Sequence, residues 1–393
     1  MEKKKKKTNL TQTLTLTLTL PDDVIEEILL RLPVKSLVRF KCVCKSWFSL
    51  ISKPQFAKSH FDLAVAPTHR LLTDYKRNRS LVGSIEIDAG DSALLHLAVP
   101  YPPSCSVYRN KFEILGSCRG FILLGYHKND NLMLWNPSTG AQKPILRSHN
   151  YYSERALYGF GYDASTDDYS IIMIFSGDRA SWETYTIVFF SLKTNSWTRI
   201  GNIDFPYWVT PKRYRSGVLL NGALHWLIFS KGQPISPVII AFDLKERSLS
   251  EIPVPCKVFI PVFYDNCHLA VIGGCLSLCC WPIYSDSDSD SDSDAKIKIW
   301  MMEEYKVQSS WTESINLTTP HIASKYIMPI SFTKDLVIVG SNAEGKLIKL
   351  NDKGELLELS KHTVRIFKES SQYFTYRESL LSLPREIGEN EGR

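Results

Sequence analysis

The side chains able to do covalent or acid–base chemistry are scattered along this 393-residue chain. There is no GxSxG nucleophile elbow, no Walker loop and no HExxH zinc pair. The nine cysteines include Cys42 and Cys44, one residue apart, and the adjacent Cys279 and Cys280, but no CxxC pair that would hold a metal or a redox couple. His225 stands in a β-prone run next to Trp226 and reads as a core histidine rather than a ligand. Paired carboxylates of the glycosidase type need only spatial proximity, so sequence alone leaves them open. Hydrophobic residues make up 44% of the chain, an ordinary share for a globular protein. No catalytic residue, no cofactor and no metal are expected.

Charge narrows the partners. Residues 1–60 carry twelve Lys/Arg against five Asp/Glu, while the remaining 333 carry thirty-five against thirty-six. A body so close to neutral lacks the basic footprint of a nucleic-acid binder. Lys3 to Lys7 are not followed by an apolar core, so no secretory signal is expected. No run reaches the ~18 apolar residues of a membrane span. Nine irregularly spaced cysteines suit reduced thiols in a cytoplasmic or nuclear protein.

The elements that position recognition surfaces come next. Residues 1–19, a lysine run followed by Thr-Leu repeats, read as a disordered leader. From Leu20 the pattern turns helical. Pro21 suits the first helical position, and Asp22 and Asp23 suit the positive end of a helix. Val24, Ile25, Ile28, Leu29 and Leu32 follow at helical spacing until Pro33. A second short helix is expected from Val34 to Cys42, and a third carrying Trp47, Leu50 and Ile51 before Pro54. Phe56 and Phe61 continue into a last short turn. A unit of about forty residues rarely stabilises itself without a staple or a partner. Its surplus of apolar side chains predicts docking on another protein.

The stretch from Leu20 to Phe56 resembles an F-box. The resemblance rests on Leu20-Pro21, the Ile28-Leu29-x-x-Leu32-Pro33 step, Ser36-Leu37, and Val43-Cys44-Lys45-x-Trp47. It implies docking onto a Skp-type adaptor and, through it, onto cullin and RING subunits. By position, Leu20, Pro21, Ile28, Leu29, Leu32, Pro33, Leu37 and Val38 are expected to face the adaptor. Val43, Trp47, Leu50 and Ile51 are expected to be internal.

The rest of the chain reads as strands and turns. One unit, a strand leading through a polar turn into another strand, recurs with turns starting at 136, 191, 243, 301 and 351. Further hairpin-like stretches precede them, with Asn221-Gly222 as a strong two-residue turn. Two hairpins per ~50 residues is the signature of a four-stranded propeller blade. Five units plus a degenerate one near residues 70–108 predict about six blades. The fold class expected is thus α+β multidomain, a small helical F-box followed by a mostly β propeller. Trp135, Trp197, Trp226 and Trp300 are expected between blades. Asn136, Asp163 and Asp243 are expected to hold turns.

This half also resembles the F-box-associated interaction domain of plant F-box proteins, through GSCRGFILL, LWNPSTG, YGFGYDASTDDY, NGALHW and AFDLKE over roughly residues 95–360. A single Gly doublet, Gly273-Gly274, makes the kelch likeness loose. The two resemblances together imply a substrate-recruiting subunit of a Skp–cullin–F-box ubiquitin ligase, with an unidentified protein substrate, no nucleic acid and no membrane. The other readings are a non-degradative module bound to the adaptor, or a propeller that binds or hydrolyses glycans. The Ser-x-Asp-x-Gly-x-x-Trp boxes of propeller sialidases are missing. Candidate substrate contacts on loops are Tyr151, Tyr152, Tyr207, Trp208 and Tyr264. The expected organisation is leader 1–19, F-box 20–62, recognition domain 63–375 with an acidic Ser-Asp loop at 285–294, and a tail 376–393.

Overall fold

The computed structural model describes residues 20–64, 68–74, 81–87, 94–101, 112–126, 131–146, 156–176, 184–209, 215–232, 236–255, 267–280, 296–318, 327–332, 338–342, 346–351, 353, 355–363 and 374–383. They fall into two compact units, residues 1–65 and 66–393. No described helix is long and apolar enough to cross a membrane.

The first unit holds four helices: α1 (Asp22–Leu30), α2 (Val34–Phe40), α3 (Lys45–Ile51) and α4 (Pro54–Leu63). Pro21 stands just ahead of α1 with φ −57°, and its carbonyl accepts the amide of Ile25. That fixed φ pre-forms the first turn, and Asp22 and Asp23 complement its exposed N–H groups. Pro33 stands ahead of α2 in the same way, whereas Pro54 is the first residue of α4, behind Lys53. The residues after Pro54 form the longest helix of the head rather than a short turn. Phe56, Ala57, His60 and Phe61 recur at helical spacing and are buried. His60 donates from Nε2 to the Leu32 carbonyl at 2.8 Å, tying α4 to the chain leaving α1.

The second unit is a six-bladed β-propeller. The first blade holds β1 (His69–Asp74), β2 (Leu81–Glu86) and β3 (Leu95–Ala98). The second runs β4 (Phe112–Cys118), β5 (Phe121–Tyr126), β6 (Leu132–Trp135), β7 (Gln142–Ile145); the third β8 (Leu157–Asp163), β9 (Asp168–Ser176), β10 (Thr184–Ser191), β11 (Ser196–Asp204). In the fourth, β12 (Tyr207–Trp208) and β13 (Val218–Leu220) both pair with β14 (Ala223–Ser230), followed by β15 (Pro237–Asp243) and β16 (Leu249–Ile252). The fifth is β17 (Cys267–Ile272), β18 (Cys275–Cys280), β19 (Lys296–Met302), β20 (Trp311–Thr318). The sixth is β21 (Ile327–Phe332), β22 (Ile338–Asn342), β23 (Lys346–Leu350), β24 (Leu356–Thr363). The sheets of the second to sixth blades are antiparallel in chain order, so every recurring turn seen in sequence joins the third and fourth strands of a blade.

β25 (Phe374–Arg377) closes the ring by pairing with β1, giving the order β25-β1-β2-β3. The first blade is thereby assembled from both ends of the domain. The expected tail from residue 376 instead begins inside this strand, and Ser379, Leu380 and Leu381 beyond it are buried. Polar groups lock the joint. Arg70 is buried, donates to the Ser84 hydroxyl at 2.7 Å, and lies 3.4 Å from both Glu86 and Glu378.

The core lies between blades. Leu72, Ile122, Trp135 and Phe374 join blades one and two; Trp226, Phe205 and Phe242 join three and four. Trp300, Ile239 and Leu278 join four and five, Ile299 and Ile348 five and six, and Leu71 and Val339 six and one. Between blades two and three, Phe121 meets Tyr169 edge-on at 5.2 Å. Burying one such large side chain contributes about 1.5–3 kcal/mol. Trp135, Trp226 and Trp300 are core, as expected, but Trp197 is half-buried and works through its indole N–H, which donates to Leu146 at 2.8 Å. Trp311 repeats this device, donating to Pro253 at 2.9 Å. Each bond runs from the outermost strand of one blade to the residue just after the outermost strand of the blade before.

Candidate protein-docking surfaces

The turns of the propeller are built from side-chain oxygens. Asp163 accepts the Ser165 amide at 2.9 Å, which with the Thr166 hydroxyl offsets the cost of partial burial and holds the carboxyl below its ordinary pKa. Asp243 takes the amides of Lys245 and Glu246. Asn221 and Gly222 have φ of 49° and 74°, the pair of left-handed residues that a two-residue hairpin of this twist requires. His225 has both ring nitrogens engaged: Nδ1–H donates to the Val218 carbonyl at 3.1 Å, so Nε2 accepts from the Tyr305 hydroxyl at 2.8 Å. Burial pushes its pKa down to about 4. It is a core histidine. Among the described residues no three His, Cys, Asp or Glu gather into a metal site.

On the head, two classes of apolar residue separate. Leu29, Leu30, Val34, Leu37 and Ile51 are buried. Val24 and Ile28, four apart on one side of α1, are 39% and 47% exposed, and Leu20, ahead of Pro21 and the helix, is 56% exposed. Val38, Val43 and Phe48 are exposed as well. Of the residues expected on the docking face, Leu20, Pro21, Ile28, Pro33 and Val38 are exposed and Leu32 is half-buried. Leu29 and Leu37 are buried, and Val43, expected inside, is 59% exposed. Trp47 and Leu50 are half-buried. Apolar spacing marks both faces of a short amphipathic helix when the outer face is apolar too, so sequence could not divide them. Val24 was legible through its four-residue spacing to Leu20 and Ile28; Phe48 left no such signal. Exposed Arg31 and Glu27 pair at 2.6 Å at the end of α1.

On the propeller, strand order puts the first-to-second and third-to-fourth connections of the second to sixth blades on one face and the remaining connections on the other. Tyr207 and Trp208 lie in the connection leaving the third blade, where β12 pairs with Phe229 and Ser230. Trp208 is 46% exposed, and the Lys231 ammonium lies 5.7 Å from its ring. The half-buried Tyr207 donates its hydroxyl to Glu251; burial, then that bond, raises its pKa. Tyr151, Tyr152, Tyr264 and the Ser-Asp run 285–294 lie outside the described residues.

A helical head with an exposed apolar face, joined to a propeller, defines a protein-interaction molecule of the F-box class. Comparison with known families agrees. The F-box domain model matches residues 18–59, and the F-box associated beta propeller domain model matches residues 77–383. The chain belongs to the F-box proteins that carry this propeller. Among its relatives in Arabidopsis thaliana, F-box/kelch-repeat protein At3g23880 is 29% identical over 330 residues, 81% of this chain and 84% of that protein. F-box protein CPR1 is 29% identical over 341 residues, 80% of this chain and 78% of that protein. F-box protein At4g22390 is 28% identical with the same coverage of each. Members of the F-box family are generally non-catalytic adaptors, and an F-box implies binding to a Skp-type adaptor.

Proposed function

We propose that this chain is the substrate-recruiting subunit of a Skp–cullin–F-box ubiquitin ligase, acting in the cytoplasm or nucleus. The observation that carries the reading is the exposure of the apolar residues Leu20, Val24 and Ile28 on a unit that matches the F-box. Three large apolar side chains exposed on so small a unit are costly to leave in water and mark a surface built to be covered. With Pro21, Leu32, Pro33 and Val38 they form the docking face; Leu29 and Leu37 support it from beneath.

The mechanism is proximity. The head fixes the chain to the ligase scaffold, and the propeller holds a protein substrate, raising the effective concentration of its lysines near the charged ubiquitin carrier. Nothing in this mechanism asks the propeller for acid–base chemistry. Trp208, with Lys231 beside its ring and Tyr207 anchored to Glu251, is the described part of the recognition face.

The test is pull-down of purified Skp-type adaptor by the full chain, followed by substrate trapping and half-life measurement. Adaptor capture with substrate stabilised on loss of this protein supports the ligase reading. Capture with no change in any trapped protein's half-life supports a non-degradative module instead. No capture overturns both.

A further inference from the structure

The hairpin of β17 and β18 turns at Gly273 and Gly274, whose φ values are 57° and 83°. Its register pairs Ile272 with Cys275, and counting outward pairs Cys267 with Cys280. In a two-residue hairpin the pair flanking the turn exchanges hydrogen bonds, and pairs then alternate. Cys267 and Cys280, the sixth pair, are therefore directly opposite in a non-hydrogen-bonded position. Such positions bring the Cα atoms to about 4.5 Å and turn the side chains toward each other, within the span of about 4.4–6.8 Å that a disulfide bridges. Both are free thiols.

Their surroundings single out this pair. Cys267 is buried in the apolar cluster between blades four and five, and Cys280 packs against the same cluster half-exposed. Cys279, though adjacent in sequence, is buried in the cluster between blades five and six, on the opposite side of the sheet. Cys275 is opposite Ile272, at the far end of the hairpin. Among the described thiols only Cys280 faces Cys267, and of the two only Cys280 is partly exposed.

We propose that Cys267 and Cys280 are a reversible redox site, converted by a peroxide into a cross-strand disulfide. Cys280 attacks the peroxide; the O–O bond breaks, its sulfur becomes a sulfenic acid and one water leaves. The Cys267 sulfur then displaces the sulfenic hydroxyl, the S–S bond forms, and its thiol proton leaves with that hydroxyl as a second water. Two thiols lose two electrons in all, and hydrogen peroxide gains them. The Cys267 S–H directed at Cys280, and then burial, raise the Cys267 pKa, which fits the resolving rather than the attacking role. The bridge would fasten the open end of the hairpin, where the chain enters β17 and leaves β18 on the recognition face.

The test uses the full chain, treated with hydrogen peroxide, quenched, and alkylated with N-ethylmaleimide in denaturant. Chymotrypsin cleaves after the leucines between the two cysteines, so a disulfide leaves two peptides joined. Mass spectrometry is expected to find a Cys267 peptide linked to a Cys280 peptide, lighter by two hydrogens than the separate thiols and released by dithiothreitol. In Cys280→Ser the link is expected to vanish and Cys267 to be alkylated. Wild-type protein in which Cys267 stays fully alkylated, while peroxide oxidises Cys42 and Cys44 or links Cys279 to Cys280, overturns the proposal.

Discussion

The side-chain amide of Asn136 donates to the main-chain carbonyl of Ser379 at 3.1 Å, joining residues 243 positions apart. The same amide reaches the Leu381 carbonyl at 3.0 Å, while its oxygen accepts the Ser138 amide within its own turn. Gly120 presses on the same segment: a Cβ there would lie 2.3 Å from the Ser379 hydroxyl. One buried asparagine thus holds a turn of the second blade and pins the chain that closes the ring. Asn136→Ala is expected to leave two buried carbonyls unpaired and to destabilise the propeller by about 2–4 kcal/mol. Urea unfolding checks this. Truncation after residue 373, which removes β25, is expected to abolish the folded propeller, while truncation after 383 is expected to leave it intact.

The indole staples make a graded prediction. Trp197→Phe, at a half-buried site, keeps a ring and loses one N–H bond, and is expected to cost about 1 kcal/mol, whereas Trp311→Phe, at a buried site, also leaves a cavity and is expected to cost more. Trp226 is buried and donates to the Tyr158 carbonyl at 2.9 Å. Trp226→Phe leaves both a cavity and an unpaired carbonyl, and is expected to cost about 3 kcal/mol. Thermal melts of the three variants give the order.

Acid is expected to loosen the fourth blade. Burial, and then the charge of Lys306, hold the His225 pKa down to about 4, against 6.5 for an ordinary histidine. As pH falls through 6.5 the unfolded chain takes up the proton first. The stability of the neutral, buried ring is therefore complete above about pH 6.5 and is lost progressively as pH falls through 4, by about 3 kcal/mol at most. Unfolding midpoints between pH 7 and 4 measure the loss, and His225→Gln is expected to flatten the curve. An NMR titration placing His225 near 6.5 contradicts the account.

Much of this architecture was legible in sequence because propeller blades repeat. The turns read at 136, 191, 243 and 351 carry the polar residues that third-to-fourth-strand hairpins need and fall where the structure has them, while the one read at 301 is two residues early, since Met301 and Met302 still belong to β19. β25 was not legible: four residues, separated from their partner β1 by the whole domain, carry no repeat of their own. β12, two residues paired with the far end of β14, was hidden as well, whereas Asn221-Gly222 marked the β13–β14 hairpin. On the head, helix positions were readable from prolines and spacing, but sides were not. Leu29 and Ile28 are neighbours of equal hydrophobicity, and only the packing sends one inward and the other out.

The exposed and buried residues of the head therefore separate docking from folding. Leu29→Ala removes a fully buried side chain and is expected to cost about 2–5 kcal/mol, unfolding the head. Val24→Asp and Ile28→Asp alter exposed positions and are expected to leave its helical circular dichroism unchanged.

The most direct measurement is calorimetric titration of purified Skp-type adaptor into the full chain and into its Ile28→Asp variant. The wild-type chain is expected to bind, and the folded variant to bind at least about tenfold more weakly, a loss of about 1.4 kcal/mol or more. Equal affinity of the two proteins, or no binding by the wild-type chain, contradicts the assignment of this face.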